Sequence, residues 1–300
     1  MSENASLTLS SGDLRAVFWP EAGMLCASLR FRDQELLRRI EDLESAKQKG
    51  STAGIPLLYP WANRLAGLTY RAAGRSVTLS SSSSLLHFDN NGLPIHGVPW
   101  GLLAWKTVES KGDSALARLD WTRPELLEVF PFPHEVQMAA SVEATSLTIR
   151  TTVLANGKSP VPISFGFHPY FGIPDVPRAE WHLQLPAMKK LKLDAHGIPT
   201  GASEAFGPMD EPLGDRSFDD GFQLATGPAS LGVEGGHYKL AVELLEGYPY
   251  TQIFTPKGRD FIALEPMTAP TNALVTGDGL RVVPPGEQFQ AAFRVRLNFK

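Results

Sequence analysis

Leu147-Thr148-Ile149-Arg150-Thr151-Thr152-Val153 alternates apolar and polar side chains almost one for one. A chain with that period puts successive side chains on opposite faces, so the run predicts a strand with one face buried and one in water. The same alternation recurs in Phe293 to Leu297, Lys239 to Leu244, His134 to Val142, Trp181 to Leu185 and Leu116 to Trp121. With 24 Pro and 27 Gly scattered along 300 residues, long helices have little room. Helical spacing is found in Asp33 to Lys49, where Leu36, Leu37, Ile40 and Leu43 recur among charges and Gly50 follows as a stop. That stretch predicts a short surface helix on a β scaffold. Gly54 to Gly67, Gly92 to Gly101 and Gly197 to Gly214 read as loops. The predicted fold class is all-β, a large antiparallel sandwich forming one domain over residues 1–300. Two β domains joined near Asn156 to Pro162 are the alternative.

At 43% hydrophobic, the chain can bury a large core. Lys plus Arg total 28 and Asp plus Glu 32, a net charge of -4 without a basic block, so the footprint of a nucleic-acid binder is missing. Cys26 is the one cysteine, which rules out an internal disulfide and fits a reducing compartment. The first ten residues, Met1 to Ser10, lack the basic and apolar regions of a signal peptide, and no apolar run reaches membrane-spanning length. The expectation is a soluble cytoplasmic protein with neither a membrane nor a nucleic acid as partner.

The histidines, at 87, 96, 134, 168, 182, 196 and 237, show no His-x-His or His-x-x-x-His spacing. A metal site built on such a pair is therefore unsupported. Phosphate-binding loops, dinucleotide fingerprints and the Gly-x-Ser-x-Gly elbow are also missing. That pattern favours acid–base chemistry without a cofactor, or plain binding.

Two ionisable residues stand inside apolar runs, each followed at once by proline: His168 in Ser164-Phe165-Gly166-Phe167-His168-Pro169-Tyr170-Phe171, and Glu265 in Ile262-Ala263-Leu264-Glu265-Pro266. A carboxylate so placed needs a partner or a task, because an unpaired buried charge is costly. An imidazole and a carboxylate of this kind can serve as general acid and base. Three other clusters are polar in apolar or glycine-rich surroundings. They are Asn63-Arg64 after Pro60-Trp61-Ala62, His96 before Gly97, and Asp219-Asp220 before Gly221. Taken singly, each has a structural explanation: an arginine paired with a carboxylate, a turn histidine bonded to backbone, an acidic turn.

Taken in order, Asn63-Arg64-Leu65, His96-Gly97, His168-Pro169-Tyr170-Phe171, Asp219-Asp220-Gly221-Phe222 and Leu264-Glu265-Pro266 resemble the aldose 1-epimerase (galactose mutarotase) family. The closing Pro284-Pro285-Gly286-Glu287 and the opening strands fit as well, so the resemblance covers nearly the whole chain. Phe167 stands where family members usually carry Asn, and Val98 replaces the second Gly after His96. The Gly-Phe-His-Pro-Tyr-Phe form is similar to divergent branches, including hexose-6-phosphate epimerases.

The resemblance implies a β-supersandwich that interconverts α and β anomers of an aldohexose or modified hexose. It implies Glu265 as base at the C1 hydroxyl and protonated His168 as acid at the ring oxygen. Arg64, His96 and Asp219 would hold sugar hydroxyls beside Asn63, and Asp219 is preferred to Asp220 by its spacing to Phe222. Trp61, Trp100 and Phe171 would wall the cleft. No cofactor or metal is implied, and the protein would be a monomer or homodimer. The alternatives are a hexose-6-phosphate 1-epimerase, a glycosidase using Asp219 and Glu265, and a non-catalytic sugar-binding module. For a pyranose to fit between them, His168 and Glu265 should stand roughly 5–7 Å apart, unpaired, in a cleft partly open to water.

Overall fold

A computed structural model of the chain describes residues 6–40, 46 and 52–299. Two large antiparallel sheets dominate. The nine-stranded sheet holds the alternating runs at its centre: Gln288–Phe299 lies between Tyr238–Glu246 and Ser146–Leu154, followed by His134–Glu143, Ser114–Trp121 and Lys106–Ser110. The eight-stranded sheet runs from Pro199–Phe206 through Met188–Leu193, Asp219–Gln223, Tyr250–Phe254 and Ile262–Met267 to the short strands Gly166–Phe167 and Leu57–Leu58, while Tyr170–Phe171 pairs with Ile262–Met267. A four-stranded sheet, Leu7–Ser11 to Gln34–Glu35, the hairpin of Thr69–Ala72 with Arg75–Thr78 and the long-range pair of Val161–Ile163 with Arg281–Val283 complete the architecture.

Alternation decides which face each strand buries. Val136, Met138, Ala140 and Val142 are buried along His134–Glu143, and the residues between them are more exposed. The inner faces of the two large sheets meet ring to ring: Phe167 packs on Phe293 with centroids 5.0 Å apart, and Phe165 on Phe289 at 6.1 Å. The resulting core takes residues from Leu9 to Leu297. The outward face of the eight-stranded sheet is left free of this core, and it carries the polar residues of interest.

Two expectations need correction. Residues 33–40 form a turn, the short strand Gln34–Glu35 and a bridge from Leu37 to Phe171, with no helix. Of the remainder of the expected 33–49 helix, only Ala46 is described; it is helical and buried, and residues 41–45 and 47–49 lie outside the described residues. The expected loop 197–214 contains two strands, Pro199–Phe206 and Met209–Pro212. Pro199–Phe206 is an edge strand exposed along nearly its whole length, so no buried face imposed apolar alternation on it. Helices occur elsewhere, at Pro124–Val129 and Ala273–Thr276. In the first, proline opens the helix at a position whose N–H would have no intrahelical acceptor, and Leu126 and Val129 turn inward.

Candidate active site

The strand Ile262–Met267 is buried on both sides, and Glu265 is the one ionisable residue on it. Ile262 and Leu264 join the core, together with Ile253, Phe222 and Phe167 of neighbouring strands. Ala263, Glu265 and Met267 therefore point outward. Residues directly opposite in paired strands share a face, so the outward surface can be read as rows. One row is Asp219, Phe254, Ala263 and Tyr170. The next is Gly221, Gln252 and Glu265, and a third is Gln223, Tyr250, Met267, Gly166 and Leu58.

His168 completes the middle row. The pairs Tyr170–Ala263 and Gly166–Met267 flank it, so His168 stands opposite Glu265 where Pro169 interrupts the ladder. Its own N–H donates to the Pro56 carbonyl at 3.1 Å. His168 Nε2 lies 3.3 Å from Glu265 Oε1 and 3.2 Å from the Tyr170 hydroxyl. The imidazole stacks on the Tyr170 ring at 4.2 Å and 6°, and edges onto His96 at 5.7 Å and Phe254 at 5.9 Å.

This geometry overturns the expected gap. His168 and Glu265 are directly paired instead of 5–7 Å apart, because cross-strand register makes them neighbours. They are also more enclosed than expected, with side chains 7% and 2% exposed. They form a floor, and more accessible groups surround it: Asp219 is exposed, His96 half-buried, and the Arg64 side chain 19% exposed. Trp61 and Phe171 are 0% exposed members of the main core and wall no cleft. Trp100 does line a hollow, shared with His96, His87 and Thr52.

Asp219 shares the outward face and accepts a hydrogen bond from Gln252 Nε2 at 2.8 Å. Asp220 faces the other way and pairs with Lys190 at 2.9 Å. Gln252, buried between Asp219 and Glu265, carries no motif that singled it out. Its strand, Tyr250–Phe254, has no apolar–polar alternation against which a functional polar residue would stand out.

Two crossing segments bring in the remaining residues. Asn63 N–H donates to His96 Nδ1 at 3.2 Å, and His96 N–H donates to the Asn63 carbonyl at 3.0 Å. With Nδ1 accepting, neutral His96 keeps its ring proton on Nε2. Asn63 Oδ1 accepts from the Arg64 backbone at 2.9 Å and from Arg64 Nη1 at 3.2 Å. Arg64 Nε is held at 2.7 Å by Asp89, a partner the sequence did not point to.

Charge at the floor is governed by burial. Burial holds the Glu265 carboxyl well above its usual value, Asp219 adding to this and Arg64 opposing it. Burial, with His96 nearby, holds His168 well below the usual imidazole value. Burial thus works against both the imidazolium and the carboxylate. Burial, Arg64 and His87 push His96 down to about 3, so it is a neutral hydrogen-bonding group. Glu265 Oε2 and His168 Nδ1 are buried and have no hydrogen-bond partner among the described residues. No group of three or more His, Cys, Asp or Glu among the described residues is arranged to hold a metal ion.

Gly97 fixes the crossing. It has φ +65°, and a Cβ there would meet the Tyr59 carbonyl oxygen at 2.3 Å and its carbon at 2.5 Å. Gly97→Ala is expected to cost about 3 kcal/mol, from left-handed backbone strain plus overlap with unyielding backbone. A denaturant midpoint equal to that of the unmodified protein would contradict this packing.

The aldose 1-epimerase family model matches residues 5–296. The uncharacterised protein YihR of Escherichia coli K12 is 25% identical over 258 residues, covering 80% of this chain and 77% of that protein. The crystal structure of a putative aldose 1-epimerase from Escherichia coli K12 superposes with a TM-score of 0.79 at 23% identity, covering 99% of both chains. That of a galactose mutarotase-like protein from Clostridium acetobutylicum gives 0.85 at 20% identity, over 100% of this chain and 96% of the other. At such identities the two structures speak to fold, whereas the family match runs almost from end to end: this chain belongs to the aldose 1-epimerase family.

Proposed function

We propose that this protein is an aldose 1-epimerase, interconverting the α and β anomers of an aldohexose or modified hexose by acid–base ring opening at Glu265 and His168. The observation that carries this reading is the buried His168–Glu265 contact at 3.3 Å, with proton affinities displaced towards each other. The hemiacetal hydroxyl and the ring oxygen are bonded to the same carbon. Two catalytic groups in contact can therefore address both oxygens at once from one side, and no ring has to fit between them.

Glu265 takes the proton from the C1 hydroxyl, and the C1–O bond of the ring breaks as the carbonyl forms. The ring oxygen takes a proton from His168. The aldehyde rotates and closes from its other face by the reverse steps. The pair thus carries one mobile proton, on His168 before opening and on Glu265 after it. Raising the carboxyl and lowering the imidazole brings their affinities together, the condition for easy transfer in both directions. Arg64, His96 and Asp219, with Asn63 beside them, hold the sugar hydroxyls at the rim. We read the enzyme as a cytoplasmic domain of 300 residues that needs no cofactor.

A panel of freshly dissolved hexoses, some phosphorylated or sulfonated at C6, followed by polarimetry or NMR, tests the reading and identifies the sugar. Failure to accelerate any of them would overturn it, and sugar binding without acceleration would mark a carbohydrate-binding module.

The pH profile follows from the one-proton requirement. Gaining a second proton means charging a buried imidazole, which burial delays to pH values well below 6.5. Losing the last proton means leaving a buried carboxylate, which burial delays to values well above 4.5. Both limbs are displaced outward, so kcat should be flat across neutral pH. The limbs belong to the pair, not to either residue. A single sharp inflection near the ordinary imidazole value would contradict the shared-proton arrangement.

A further inference from the structure

Behind the pair runs a chain of hydroxyls that the proposed reaction does not itself use. Tyr170 presents its hydroxyl 3.2 Å from His168 Nε2 and hydrogen-bonds Thr52 Oγ1 on its other side. Tyr170 is 4% exposed, whereas Thr52 is half-buried and lines the hollow beside His96 and Trp100. The sequence Glu265, His168, Tyr170, Thr52 therefore leads from the enclosed floor to a place water can reach.

Stacking on His168 needs only the ring of Tyr170. A hydroxyl in so enclosed a position is costly without partners, and here it has two. A hydroxyl also both donates and accepts. It donates to Nε2 when the imidazole has a lone pair there, and accepts from Nε2 when the proton is present. Thr52 Oγ1, with the same freedom, can reverse along with it. The charged and titratable groups around this chain are Glu265 and Asp219 on the sheet, Arg64 and His96 on the crossing segments, and Arg38, whose guanidinium lies 5.9 Å from the Tyr170 ring centre.

We propose that Tyr170, oriented by Thr52, is a positioning residue that keeps a hydrogen bond on His168 Nε2 in both protonation states and passes proton exchange out to Thr52. Its catalytic consequence rests on the epimerase reading; the hydrogen bond itself does not.

Tyr170→Phe keeps the stacked ring and removes the hydroxyl. With a sugar the enzyme turns over, kcat should fall about tenfold while KM stays within about twofold. The alkaline limb should move to lower pH, because a hydrogen bond to a charged imidazolium is stronger than one to a neutral ring. Thr52→Val should act in the same direction more weakly. At neutral pH the ¹⁵N shift of His168 Nε2 should move in Tyr170→Phe, whether or not a sugar is present. Unchanged kcat and limbs in a folded Tyr170→Phe protein overturn the proposal, with or without a moved shift. An unmoved shift overturns it as well. A moved shift in a protein that accelerates no sugar leaves the hydrogen-bond role standing and sinks the epimerase reading alone.

Discussion

Glu265→Gln will slow anomer interconversion by about two orders of magnitude or more, with little change in sugar affinity. The amide keeps the shape and the hydrogen-bonding reach of the side chain but cannot take a proton from the C1 hydroxyl. Folding provides the control. Burial raises the Glu265 carboxyl above its unfolded value near 4.5, so the stability held by its proton is fully present below that value and is lost as pH rises through the folded one. Glutamine has no proton to lose. The variant should therefore match or exceed the parent in thermal stability at mildly alkaline pH while losing turnover. Near-normal turnover would remove Glu265 from the mechanism, and a poorly folded variant would show that the carboxyl is needed for the structure.

His168→Gln should lower the rate by roughly 10²–10⁴-fold, the usual worth of a positioned acid, and should flatten the alkaline limb of the pH–rate profile. The limb exists because the pair loses its last mobile proton at high pH; without the imidazole there is no acid whose loss can be seen. His96 is the competing acid, its ring 5.7 Å from that of His168. Its proton affinity is pushed down to about 3, so it is a poor source of protons at neutral pH. Retained activity with an unchanged profile in His168→Gln would nevertheless transfer the role to His96.

What the sequence disclosed depended on whether one face of an element was buried. Ser146–Leu154 was legible because its core face had to be apolar. Pro199–Phe206 was not, because both its faces meet water. Glu265 and His168 stood out as lone ionisable groups in apolar runs. Their contact did not, since it is set by the register between two segments far apart in sequence and by the break at Pro169. Trp61 and Phe171 were misjudged for the opposite reason. A large ring near a polar motif looks the same in sequence whether it walls a cleft or fills the core, and both fill the core. Gln252, Tyr170 and Asp89 act through neighbours brought to them by folding, and no local pattern marks them.

The strand Ile262–Met267 divides its labour by parity: Ile262 and Leu264 hold the two large sheets together, while Ala263, Glu265 and Met267 face outward. Substitution on either set is therefore largely invisible to the other. The interior can exchange one apolar residue for another of similar volume without disturbing His168 and Glu265. The outward rows around Gly221 and Gln252 can change without loosening the sandwich. A scaffold partitioned in this way drifts far in sequence before it changes shape, as a structural relative with a TM-score of 0.85 at 20% identity illustrates.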